Sequence, residues 1–309
     1  MPLTSLLRLL ALAALCGVLS SCASEPPPGD GPDLLGGCIL TEPLGEVPSD
    51  PRRVGDVVRT DDFPPFTKAL SACGVVLAAE ESVPDAFVRR VGQTIDEMFV
   101  TREGIDIERQ DDVIRALHAY RATLPVPRDE RSLDRLFDDQ QLEEQQIDWM
   151  ATHSVCDIIM AEVPEGQVME VVEHILHTVT DVGLHHVFPG AWGISRESEL
   201  WRAMQRAIDA GFYDVSSYED LDGEPRDVRD RVLMQEFAYW FVTTAWDLQE
   251  PYGPDEDEWT LRDREELAEA MPEFFAVFER TAERVLSAPS RETLAGFGPT
   301  RRTRAPPAR

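Results

Sequence analysis

The sequence predicts a helix-dominated α+β fold with a small sheet. Three observations lead there. Apolar residues recur every three or four positions through most of the chain after residue 85, which is the spacing of one helix face. Short apolar runs at 74–79, 122–126 and 155–161 have strand length. Hydrophobic residues make up 43% of the 309, enough for a sizeable core and too many for wholesale disorder.

The chain begins with a targeting segment. Met1 to Arg8 carries one positive charge, and Leu9 to Leu19 is apolar but too short to span a bilayer. Leu19-Ser20-Ser21-Cys22 then resembles the bacterial lipobox, in which the cysteine is lipidated and becomes the first residue. The expectation is a lipoprotein signal peptide at 1–21, a membrane anchor at Cys22, and a place in the bacterial cell envelope, at the outer membrane or cell surface. An ordinary cleaved signal peptide, with Cys22 incidental, is the alternative. Residues 22–59, rich in Pro, Gly, Asp and Glu up to Pro48, read as a lipid-anchored flexible tether. Residues 60–290 read as a single globular α-rich domain, and 291–309 as a disordered basic tail. The formal charge of −29, from 58 acidic and 29 basic residues, argues against nucleic acid as a partner.

The elements follow in order. Residues 74–79 form a strand. Ser82 caps a helix that carries Phe87, Val91, Ile95 and Met98 on one face, with Pro84 and Asp85 in its first turn. Asp111 or Asp112 caps the next, with Ile114, Leu117 and Tyr120. Residues 122–126 return as a strand. Residues 130–150 are charged and helical, and the acidic–amide run 138–146 reads as a solvated face. Residues 155–161 read as a third strand. Ser195 caps a helix ended at Gly211. Residues 227–248 form the most hydrophobic helix, with Glu236 inside it. One or two helices close the domain between Leu261 and Leu286.

The stretch from Gln167 to Gly183 is the most specific. Four of the six histidines lie between 174 and 186. On a wheel of about 100° per residue, Val168, Val171, Val172, Ile175, Leu176, Val179 and Val182 share one face. Glu170, Glu173, His174, His177 and Asp181 share the other, and Gly183 is expected to stop the helix. That second face either binds a metal or meets water. Glu173 and His177 leave one helix face a turn apart, the spacing of the two helix-borne ligands in HExxH metallopeptidases. Glu236 is the natural third ligand, since a buried carboxylate needs a partner. A zinc site of two glutamates and one histidine, with an open water position, is chemically reasonable. His185 and His186 are either alternative ligands or loop surface. His118 and His153 stand alone and read as structural. Cys38, Cys73 and Cys156 follow Cys22 without metal-ligand spacing; a Cys38–Cys73 bond and three buried thiols are the two readings.

Residues of about 70 to 285 resemble a divergent zincin-like family of largely uncharacterised secreted proteins of bacteria and some marine animals. The resemblance rests on Glu173, His177, Gly183, Phe188-Pro189, Glu236 with Phe237 and Trp240, and Glu258-Trp259. It implies a zincin-like two-helix metal-site core with zinc as cofactor more than it implies an activity; the activity that would go with it is that of a zinc-dependent peptidase on a peptide or protein substrate. His174 stands where that family carries an acidic general base, and is the candidate catalytic residue here. The family's Asp-rich loop is reduced to Glu103-Gly104-Ile105-Asp106-Ile107-Glu108, so no calcium site is carried over. The alternative is a non-catalytic envelope or binding lipoprotein on a degenerate scaffold of the same kind.

Overall fold

Four strands form one mixed sheet, in the order β1 Val58–Phe63, β2 Phe66–Ala72, β3 Val75–Ala79 and β4 Thr123–Val126. The first three are antiparallel neighbours, and β4 joins β3 in parallel. These elements come from a computed structural model, which describes residues 37–254 and 257–298. The expected signal peptide with its Cys22, and the last eleven residues, 299–309, lie outside the described residues. Among those described, no helix is long and apolar enough to cross a membrane.

The β2–β3 hairpin turns on Cys73 and Gly74, at φ 47° and 90°. A two-residue turn of this kind needs positive φ at both positions, which explains the glycine. A Cβ on Gly74 would also stand 2.7 Å from the Ile114 carbonyl oxygen. The crossover from β3 to β4 runs through two helices, α1 Asp85–Met98 and α2 Ile107–Ala119. Helix α1 buries Val88, Val91, Ile95 and Met98, close to the expected face. Its start differs from expectation, because Pro84 and not Ser82 occupies the cap position. The only lysine, Lys68, is buried there and donates to the Val83 carbonyl and to Asp85 (Oδ1, 3.2 Å). Helix α2 begins earlier than expected. Asp106 caps it by accepting the Arg109 amide at 3.1 Å, and Asp111 pairs with Arg52 instead.

Helices α3 Glu130–Asp138 and α4 Gln140–Met150 cover the other sheet face, where Leu133, Leu136, Trp149 and Met150 pack on Phe63, Phe66 and Ala78. The run 155–161 is extended, as its composition suggests, but it is not a strand of the sheet. Only single links tie it alongside β4, such as Ile159 N–H to the Pro125 carbonyl at 3.0 Å. A flexible tether reaching to residue 59 is likewise not what the chain forms. Cys38 is bonded to Cys156, Gly45 donates to the Ala119 carbonyl, Arg52 binds Asp111 and Gln110, and Val54 bridges Ala72. The domain therefore begins at about Cys38. The Cys38–Cys73 bond is corrected by the same observation. Cys73 is a buried free thiol, and burial pushes it up to about 12. At the other end, residues 291–295 form a helix capped by Ser290, and Phe297 packs on Phe87, so residues 291–298 belong to the domain and not to a disordered tail.

Helices α5 Gln167–Thr178, α6 Glu199–Asp209 and α7 Arg226–Ala245 build the core beyond the sheet, followed by α8 Arg264–Ala270 and α9 Pro272–Arg280. Ser198, not Ser195, caps α6, accepting the Trp201 amide at 3.1 Å. Gly183 does not stop α5. The helix widens into a π-helical turn, Val179–Leu184, and continues through His185–Val187. The glycine serves packing instead: a Cβ there would stand 2.8 Å from Val113 Cγ1 of α2. Gly183→Val is expected to cost about 1–3 kcal/mol by overpacking this crossing. Denaturant unfolding of the variant checks it; an unchanged midpoint would mean that the crossing gives way freely.

Candidate metal centre

Helix α5 is buried all round, and its polar side chains are drawn inward with the apolar ones. Val168 through Thr178 are all buried, so the face of Glu170, Glu173, His174 and His177 does not meet water. It meets α7 on one side and the extended run 155–161 on the other. Glu173 and His177, a turn apart on α5, face Glu236 of α7. One donor atom from each of the three lies within 4.8 Å of the others. His177 Nε2 stands 3.6 Å from Glu236 Oε2. A tetrahedral cation with bonds near 2 Å separates its ligand atoms by about 3.4 Å, so the three donors need only a small inward adjustment to hold one.

Asp157 is the residue that sequence reasoning passed over. It is fully buried, and its Oδ2 faces His177 Nδ1, His174 Nδ1 at 2.9 Å and Gln235 Nε2 at 3.1 Å. Its Oδ1 accepts the Ile158 amide at 2.8 Å. The His177 link is a hydrogen bond; the His174 nitrogen approaches off the line of one. With Nδ1 committed to Asp157, His177 turns Nε2 toward Glu236. That nitrogen is buried and has no hydrogen-bond partner among the described residues. A carboxylate behind one imidazole nitrogen and a free lone pair on the other is how a protein prepares a histidine for a cation.

The charges fall into two groups. Burial opposes ionisation of Asp157, but His174 and His177 together hold its carboxyl below the usual carboxylate range. Burial alone would lower His174. Asp157 at Nδ1 and Glu170, 3.3 Å from Nε2, outweigh it and hold the ring protonated well above an ordinary imidazole. Beside this charged set sits a proton-holding set. Burial pushes Glu173 up to about 8, with Glu170 and Asp157 adding to the push and His174 opposing it. Burial and the nearby Glu173 and Glu258 raise Glu236 well above its ordinary value. Burial draws His177 down, so it stays neutral with its lone pair at Nε2. Glu258 lies behind this wall and accepts from Tyr218 OH at 2.7 Å and Trp240 Nε1 at 2.9 Å.

The other histidines are elsewhere. His185 is buried, not loop surface, and its Nδ1 accepts the Ile194 amide. His186 stacks on Tyr120 at 3.5 Å between ring centroids. Neither belongs to a cluster of candidate donors among the described residues. His118 and His153 are structural, bonded to the Pro51 and Trp149 carbonyls. Both His174 nitrogens lie against carboxylates, Nδ1 at 2.9 Å from Asp157 and Nε2 at 3.3 Å from Glu170, and neither points at Glu236. Two other groups of three donors occur among the described residues: Asp157, His174 and His177, which are engaged with one another as above, and Asp181 with Cys38 and Cys156, whose sulfurs are bonded to each other. Asp157 had one signal in the sequence: a lone acid inside the apolar run 155–161, where an ionised group needs partners. No protein family, curated protein or solved structure matches the chain.

Proposed function

We propose that the protein binds a divalent transition cation, zinc in the first instance, through Glu173, His177 and Glu236, and that it does so as a lipid-anchored envelope protein without peptidase chemistry. The observation that carries the reading is the buried His177 Nε2, free of any hydrogen bond, aimed at Glu236 and braced from behind by Asp157. Two helices supplying Glu173, His177 and Glu236 agree with a zincin-like core. A cation here would neutralise carboxylates that otherwise keep their protons at a burial cost. Hydrolysis would need one more group, to take the proton of the attacking water. His174, set for that part by its place in the sequence, has both nitrogens turned to carboxylates and acts instead to position Asp157. Every side chain in the centre is buried, which suits a retained cation better than a peptide substrate.

Metal analysis of the purified chain tests the proposal. About one zinc per chain is expected for the wild type, with affinity about 100-fold lower or worse in His177→Ala. A wild type without zinc, or a variant that binds as well, ends the metal reading. Zinc-dependent peptide cleavage lost in His174→Ala would restore the enzyme reading.

A further inference from the structure

Asp181 lies in the π-helical turn after His177 and is fully buried, and neither carboxylate oxygen has a hydrogen-bond partner among the described residues. The adjacent hydroxyl, Thr180, is turned to the His177 carbonyl. Of the nearby charges, only that of Arg231 offsets the cost of burying this unbonded carboxyl, so its presence calls for a hydrogen-bond donor in some state of the protein. One of its oxygens lies within 4.8 Å of both Cys38 Sγ and Cys156 Sγ. A disulfide has no proton to donate, whereas two thiols have two. Arg231 Nη1 stands 3.6 Å from Cys38 Sγ, where its charge favours a thiolate at that sulfur.

We infer that Cys38–Cys156 is an exchangeable, redox-active disulfide whose state is coupled to the candidate metal centre. The reductant is a dithiol. Both cysteines are buried, so exchange passes through local opening of the run 155–161, in which one thiolate of the dithiol attacks Cys156 Sγ, forming a mixed disulfide and breaking the Cys38–Cys156 bond. The electron pair leaves on Cys38 Sγ, beside Arg231. The second thiolate of the dithiol then attacks its own sulfur in the mixed disulfide, closing a cyclic disulfide and releasing Cys156. The dithiol is oxidised by two electrons, the cysteine pair is reduced by two, and two protons end on Cys38 and Cys156, whose S–H groups then face Asp181.

The coupling to the centre runs along two routes. Cys156 directly precedes Asp157, in a run that only single links hold against the sheet. Arg231 Nη1 also donates to Gln235 Oε1 at 3.0 Å, and Gln235 Nε2 donates to Asp157 Oδ2. Asp157 in turn orients His177. This coupling, though not the exchange itself, rests on the metal reading above.

Two measurements test the inference. The full chain, freed of metal by a chelator, is equilibrated with graded ratios of reduced to oxidised dithiothreitol, quenched in acid and alkylated, and its free thiols are counted by mass. The pair is expected to open while the protein still melts cooperatively. Asp181→Leu is expected to need a ratio about tenfold more reducing, about 30 mV for two electrons. Asp181→Asn, which keeps one acceptor oxygen, is expected to shift by less and stands in if the leucine variant does not fold. A pair that opens only on unfolding, or an unchanged midpoint in the variants, overturns the exchange. Separately, zinc is titrated against a chromophoric chelator without dithiol. Cys38→Ser/Cys156→Ser is expected to bind at least about tenfold more weakly than the oxidised wild type. Equal affinities overturn the coupling. A wild type that binds no zinc overturns the metal reading and the coupling with it, and the dithiol titration alone then decides the exchange.

Discussion

Stripped of metal by a chelator, the protein is expected to lose stability as pH rises from about 6.5 to 8, and zinc is expected to reverse that slope. Glu173 holds its proton to about 8 in the folded chain, against an ordinary value of 4.5. Asp181 holds its own to about 7, against 3.8. Both carboxyls have raised folded values, so their contribution is fully present below the unfolded value and is lost as pH rises through the folded one. In that interval the folded state carries protons that the unfolded state has released, and stability falls with pH. His186 works the other way. Burial lowers it to about 4, so the unfolded chain gains protons first on the acid side and destabilises the fold below about 6.5. Above 6.5 the histidines that burial lowers no longer matter, while His174 and Glu236, both held protonated above their ordinary values, add to Glu173 and Asp181 with the same sign. Their combined weight there is on the order of a few kcal/mol, since each pKa unit is worth about 1.4 kcal/mol. Zinc displaces the protons of its ligands, so its binding tightens as pH rises. Melting temperatures with chelator and with one equivalent of zinc, taken across pH 6 to 8.5, read both slopes. A chelated protein that grows more stable toward pH 8 would contradict the placement of Glu173 and Asp181 among buried, proton-holding groups.

The elements that could be read from the sequence were those set by local rules. The hydrophobic face of α1, the strand runs of β3 and β4, and the pair Glu173 and His177 follow from periodicity and spacing over a few residues. Glu236 was legible because an acid inside an apolar helix has to find a partner, and it found His177 at 3.6 Å. The failures share a different cause. Gly183 carries the composition of a helix stop, but its purpose is the approach of Val113 from α2, seventy positions earlier. Ser195 and Asp111 were plausible caps, yet Ser198 and Asp106 have the backbone geometry that accepts the amide. Cys38 lies closer in sequence to Cys73, but it pairs with Cys156 across 118 residues. By its pattern alone, the polar side of α5 fits a metal face and a wet face equally. Wetness is ruled out by a segment, 155–161, whose place beside α5 no local pattern encodes. That segment also delivers Asp157, which turns a row of donors on one helix into a braced histidine with a free nitrogen.

Asp157→Leu is expected to have the largest effect of any single substitution near the centre. It removes the carboxylate faced by three groups at once: His174, His177 and Gln235. His174 would then be held by Glu170 alone, with a buried imidazolium nitrogen facing a methyl group. Breaking one side of a buried ion pair costs about 3–5 kcal/mol, so the variant is expected to unfold at a much lower denaturant concentration. Asp157→Asn separates charge from shape. It keeps the size and one acceptor oxygen, but it no longer offsets His174 and no longer fixes the lone pair of His177 at Nε2. Its expected signature is a fold that stays cooperative, destabilised by less than in the leucine variant, with zinc affinity reduced about 10- to 100-fold, the effect of losing a carboxylate behind a histidine ligand. Chelator-competition titration of both variants, alongside their unfolding curves, distinguishes the two roles. If Asp157→Asn binds zinc as tightly as the wild type, Asp157 is only a structural counter-charge for His174, and the bracing of His177 plays no part in holding a cation.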